Sequence, residues 1–195
     1  MKLVHELTLD VPVARAWEVL LDVPRVARAL PGAGVEDEGG PDGYRGRMTV
    51  KLGPASAQYS GLVVLEDVDD DSHSASYRVR GREVHGQGEA SAVIRVAASE
   101  HGGATRLRVD TDLEVSGRQA QLGRGLMEEV AAGVLAEFAS RLSDALSGRA
   151  PAPSESVEAF DAGRVLLRPV IERAAFALAG LLAGLALGRA VSRRS

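Results

Sequence analysis

Side chains able to do chemistry are few in this chain, and they are scattered. The four histidines, His5, His73, His85 and His101, include no pair at the i, i+4 spacing that sets two ligands on one helix face. Cysteine is absent, which excludes disulfides, thiolate metal sites and a cysteine nucleophile, and which fits a reducing compartment. No resident metal and no intrinsic cofactor are therefore expected, although Asp and Glu alone could still hold a hard cation. No nucleophile–base pair and no carboxylate dyad can be assigned to an interior face. The glycines of Gly117-Arg118-Gln119-Ala120 and Gly123-Arg124-Gly125 read as turn formers rather than as a phosphate cradle. The polar groups that could face an interior are His5, Tyr44, Tyr59 and Tyr77. A tyrosine hydroxyl turned inward can hold a carbonyl oxygen, but most such hydroxyls sit at a rim. His5, set between leucines, reads first as a core histidine. This inventory offers no catalytic constellation, and the protein is expected not to be an enzyme.

The elements that must position these groups follow from periodicity. Lys2 to Leu9 alternates as a strand, with Leu3, His5, Leu7 and Leu9 on one face. Asp10-Val11-Pro12 and Asp22-Val23-Pro24 both read as helix starts, each a capping acid with proline in the first turn. Two short helices follow, one carrying Trp17, and Pro31-Gly32 ends the second. From Val35 to Ser116 the period is two. Tyr44, Gly46, Met48 and Val50 alternate with Arg45, Arg47, Thr49 and Lys51, and Gly53-Pro54 turns the chain. Further strands are expected over Ala55 to Glu66, around Tyr77 to Arg82, over Gly86 to Ala97 and over Thr105 to Val115. Such alternation means an antiparallel sheet with one wet face, whose charges form cross-strand solubility pairs. Leu122 to Leu146 is a long helix with an apolar stripe that includes Met127, Val134 and Phe138. Strand, two short helices, a run of antiparallel strands and a long terminal helix is the order of an α+β helix-grip fold. In that fold a curved sheet wraps the last helix and leaves a cavity between them.

Whether that cavity is filled depends on side-chain size. Gly86, Gly88, Ala90 and Ala92 share one face of a strand, and Gly46 and Gly61 lie on apolar faces of theirs. A sheet with so little inward bulk leaves room for a ligand, because an empty apolar void loses packing contacts at about 24 cal/mol per Å3. The competing reading is that the glycines mark bulges and curvature. The expected lining comprises Tyr44, Met48, Tyr59, Tyr77, Gly88, Ala90, Met127, Val134 and Phe138.

Several stretches together resemble the carbon monoxide dehydrogenase G-subunit family, within the START-like SRPBCC superfamily. They are Val11-Pro12-Val13-Ala14-Arg15-Ala16-Trp17-Glu18-Val19-Leu20-Leu21-Asp22, Ala29-Leu30-Pro31-Gly32, Tyr44 to Pro54, Tyr59-Ser60-Gly61, Gly86-Gln87-Gly88-Glu89-Ala90 and Val115 to Gly123. The family usually has Gly-Lys-Leu-Ala before the terminal helix, and Gln119 here replaces the apolar residue. The resemblance implies a bound lipophilic ligand, with menaquinone or another respiratory quinone as the expectation. It also implies a partner among molybdenum hydroxylases of the carbon monoxide dehydrogenase type. It does not imply that this chain oxidises carbon monoxide. Two alternatives remain open: an assembly or recruitment factor for such an oxidoreductase, and a cyclase-like enzyme on the same fold.

The rest of the chain has a different texture. Residues 1–150 carry 17 basic against 23 acidic side chains, and residues 151–195 carry six against four. The net charge of −4 argues against a nucleic-acid partner. Ala150 to Ser156 reads as a linker, which divides the chain into a ligand-binding domain (1–148), a linker (149–160) and a hydrophobic tail (161–195). Ala174 to Gly188 contains no polar side chain, and its 15 residues would span about 22 Å as a helix, short of a ~30 Å hydrocarbon core. Phe176, Leu178, Leu181 and Leu185 would meet lipid, and Gly180, Gly184 and Gly188 form a face for close helix packing, a route to a homo-oligomer. Arg173 and Arg189 bracket the run and can snorkel. The expectation is a carrier held at the cytoplasmic side of the cell membrane by this tail. No apolar leader segment is read at the N-terminus.

Overall fold

A computed structural model describes residues 1–36, 39–52, 55–146 and 160–161. The elements are β1 (Lys2–Leu9), α1 (Val13–Leu20), α2 (Val23–Ala29), β2 (Ala33–Val35), β3 (Tyr44–Leu52), β4 (Ala55–Asp69), β5 (Ser74–Glu83), β6 (Glu89–His101), β7 (Ala104–Val115), α3 (Gly123–Leu146) and β8 (Phe160–Asp161). A 3-10 turn over Gly117–Leu122 leads into α3. The strands form one curved sheet in the order β1-β7-β6-β5-β4-β3-β2, antiparallel throughout, as the alternation requires. The two residues of β8 add in parallel to β3, opposite Val50 and Lys51, across the boundary expected between linker and tail. The Gly53-Pro54 turn, the linker at 150–156 and the apolar run 174–188 lie outside the described residues. Among those residues, no helix is long and apolar enough to cross a membrane.

Local signals explain most element ends, with two corrections. Asp22 caps α2 as expected, its carboxylate accepting the Arg25 amide at 3.0 Å. Asp10 does not cap α1. Pro12 holds the N-cap position without a side-chain bond, and the Asp10 amide instead donates to Ser143 Oγ at 3.2 Å, tying the exit of β1 to α3. The second correction concerns β6, which begins at Glu89, so Gly86 and Gly88 belong to the β5–β6 turn and not to a strand. The wet face carries cross-strand pairs such as Arg82 with Glu89 at 3.0 Å and Arg108 with Glu6 at 3.7 Å. Both are exposed, so each adds little to stability.

The packed core occupies one end of the inner face. Leu9, Leu107 and Thr105 are wholly buried there with Val11, Trp17, Val19 and Leu20. Thr105 Oγ1 donates to the Val11 carbonyl at 2.7 Å. Trp17 Nε1 donates to Asp70 Oδ1 at 2.8 Å, and its ring meets His73 edge-on. From the terminal helix, Phe138 and Leu142 are buried in this core, with Leu135, Ala139 and Leu146 packed against it. The first turns of α3 are different: no residue from Gly123 to Ala132 is buried.

Candidate functional site

Register divides the inner face into two ends of unlike chemistry. At the packed end, Leu65, Tyr77 and Ile94 lie side by side, and the neighbouring row is Ala75, Val96, Val109 and His5. At the other end, Gly46 pairs Gly61, Gly61 pairs Gly81, Gly81 pairs Ala90 and Ala90 pairs Val115. Four strands thus contribute almost no side-chain volume along one line. The next row toward the sheet end is Met48, Tyr59 and Glu83. These residues are only half-buried, and they lie at the end that the core leaves unpacked.

The expected lining residues are not gathered in one place. Met48, Tyr59 and Ala90 come together at the small-residue end, and Gly88 sits beside them in the β5–β6 turn. Met127 lines an open depression of about 340 Å3 with Met1, Leu113, Val115, Gln119 and Gly123. Val134 is half-buried in the middle of α3, and Tyr44 packs at the edge of the core. Tyr77 and Phe138 are within the packed core. The Tyr77 hydroxyl donates to the Leu20 carbonyl, and burial raises its pKa strongly. It therefore points away from the open end.

Two polar residues that periodicity did not single out complete the open end. Glu83 continues the inward series Tyr77, Val79, Gly81, so the parity of β5 marked it. Its carboxylate accepts Gln119 Nε2 at 2.9 Å on one oxygen and the Gly88 amide at 3.3 Å on the other. Gln119 is 9% exposed, and its Oε1 has no hydrogen-bond partner among the described residues. Tyr59 stands opposite Glu83, and its pKa is raised, first by burial and then by the Glu83 charge. His5 lies on the inner face of β1, its Nδ1 buried and without a hydrogen-bond partner among the described residues. Among the described residues, no group of three or more His, Asp or Glu could hold a metal ion.

A family model for the G subunit of carbon monoxide dehydrogenase (CoxG) matches residues 6–147. The chain belongs to the CoxG family. The match runs from the middle of β1 to the end of α3, so the family domain coincides with the helix-grip unit. No curated protein matches the chain at a significant level. Among solved structures, it is similar to a conserved protein from Geobacillus kaustophilus, with 19% identity and a TM-score of 0.64 over 76% of this chain and 96% of that one. It is also similar to the Zhui aromatase/cyclase from a Streptomyces species, with 16% identity and a TM-score of 0.51 over 80% and 99%. A START superfamily protein from Mycobacterium smegmatis shares 15% identity, with a TM-score of 0.50 over 76% and 99%. At these identities the likenesses establish the START-like fold of this CoxG family member, and no activity.

Proposed function

We propose that this CoxG family member is a membrane-associated carrier that holds a lipophilic ligand between the inner sheet face and α3. The observation that carries the reading is the row Gly46, Gly61, Gly81 and Ala90, which brings almost no side-chain volume to that end of the inner face and leaves room for a side chain at Gly81. The adjoining depression of about 340 Å3 is in the range of small-molecule sites, roughly 300–1,000 Å3. A respiratory quinone such as menaquinone suits a cavity with apolar walls and a few polar groups at one end. The family membership supports service to a carbon monoxide dehydrogenase-type oxidoreductase. The apolar run 174–188 supplies a means of staying at the bilayer, with the domain on the cytoplasmic side. Organic extraction of the purified full-length protein, followed by titration with a prenylated quinone, tests the reading. Co-purified lipid or quinone, or saturable binding, is expected; neither would refute it.

A cyclase-like enzyme is favoured by one observation, the Tyr59–Glu83 juxtaposition on the inner face. An acid–base role would require Glu83→Gln to abolish turnover while leaving ligand affinity unchanged.

A further inference from the structure

The open end of the cavity has a polar terminus rich in acceptors. Glu83 and Gln119 meet there from the end of β5 and from the 3-10 turn before α3. Each carboxylate oxygen of Glu83 has one donor, which leaves lone pairs over. Gln119 Oε1 has none among the described residues, and a buried acceptor left unpaired carries a desolvation cost that a donor would relieve. Glycine backbone of the β5–β6 turn and of the 3-10 turn lies close against both groups. A Cβ on Gly88 would lie 2.9 Å from Glu83 Oε2 and 3.1 Å from Gln119 Oε1. A Cβ on Gly117 would lie 3.5 Å from the same amide oxygen. Gln119 also lines the open depression, and Glu83 stands directly behind it through their 2.9 Å hydrogen bond.

We propose that Glu83 and Gln119 form an acceptor pair that takes a hydroxyl group of the ligand, so that this protein prefers a lipophile with a hydroxyl donor over its carbonyl counterpart. For a quinone-type ligand this means the reduced hydroquinone is held more tightly than the quinone. A quinone oxygen only accepts, and it would face a carboxylate and an amide oxygen without a proton between them. Tyr59 stays protonated beside Glu83 and adds one donor, enough to tolerate the quinone but not to reverse the preference. The inference rests on the carrier reading and names the ligand class for the same cavity.

The experiment is an anaerobic titration of the full-length protein in mild detergent with three probes: a prenylated hydroquinone, its dimethyl ether and the matching quinone. The hydroquinone is expected to bind about tenfold or more tightly than either of the others, the effect of one hydrogen bond to a charged acceptor. Glu83→Gln and Gln119→Leu should each bring the three affinities within about threefold. Thermal melting checks that each variant is folded. Gln119→Leu, which restores the apolar residue usual in the family, carries the test if Glu83→Gln does not fold. Equal binding of all three probes would overturn the acceptor pair and leave the carrier reading standing. A hydroquinone preference that survives both substitutions would also overturn it. Failure of every probe to bind would overturn the carrier reading, and this inference with it.

Discussion

Two glycines that face each other across β4 and β5 should respond oppositely to the same substitution. At Gly81 an added Cβ would meet Tyr59 Cβ at 3.4 Å, the Ser60 carbonyl oxygen at 3.7 Å and Tyr59 Cδ1 at 4.0 Å. These are ordinary contacts, and a methyl there also restricts the unfolded chain. Gly81→Ala is therefore expected to stabilise the fold by about 0.4–1 kcal/mol. At Gly61 the Cβ would lie 1.9 Å from the Arg80 carbonyl oxygen, 2.6 Å from Gly81 Cα and 2.8 Å from the Arg80 carbonyl carbon. All three are backbone atoms of β5, which cannot rotate aside, so the strands must separate. Gly61→Ala is expected to cost about 1–3 kcal/mol, the range for overpacking. The gap between the variants is then about 1.4–4 kcal/mol. Urea denaturation followed by the fluorescence of the buried Trp17 reads it directly. The pair separates two reasons for glycine in one row: Gly61 is required by close backbone approach, whereas Gly81 leaves space that nothing in the fold requires. A larger change, Gly81→Leu, should retain the fold and weaken lipophile binding about tenfold by occupying the inner face. If both alanine variants destabilise equally, the space at Gly81 is structural and the cavity argument loses its main support.

Further outcomes follow from the same geometry. Val134→Trp should weaken ligand binding with the melting temperature nearly unchanged, because Val134 is only half-buried in the middle of α3; unchanged affinity in a folded variant would place the ligand elsewhere. Removing residues 162–195, which retains the β8 pair, should leave the domain folded but release it from membranes after a high-salt wash. Full-length protein in the soluble fraction would refute the anchor, and a truncated domain that precipitates would show the tail completing the core. Tyr77 has a folded pKa above its unfolded value, so its contribution to stability is complete below the unfolded pKa of about 10 and is lost as pH rises beyond it. Tyr77→Phe should therefore be less stable near neutrality, by about 1 kcal/mol for the lost hydrogen bond to Leu20, and should show a shallower decline above pH about 10. Equal alkaline slopes in the two proteins would refute that assignment.

Alternation and caps made the order of elements legible in the chain. Strands β1 and β3 to β7, the two short helices and α3 stand close to where period and capping place them, because side-chain parity in a strand and the 3.6-residue stripe in a helix are local properties. The same parity, a property of each strand by itself, puts Gly46, Gly61, Gly81 and Ala90 on the inner face. Register alone shows that they form one continuous row, since that depends on how strands far apart in sequence slide against each other. Parity also marked Glu83 as inward, but its role depended on meeting Gln119, 36 residues later, through the β5–β6 turn and the 3-10 turn. Periodicity reports which face a residue occupies, not how far along the sheet the terminal helix makes contact. Tyr77 and Phe138 share the inward parity of Tyr59 and Met127, yet the first two fill the core and the others border the open end. That division was decided by where α1, α2 and the second half of α3 pack, a tertiary arrangement for which no local sequence signal exists.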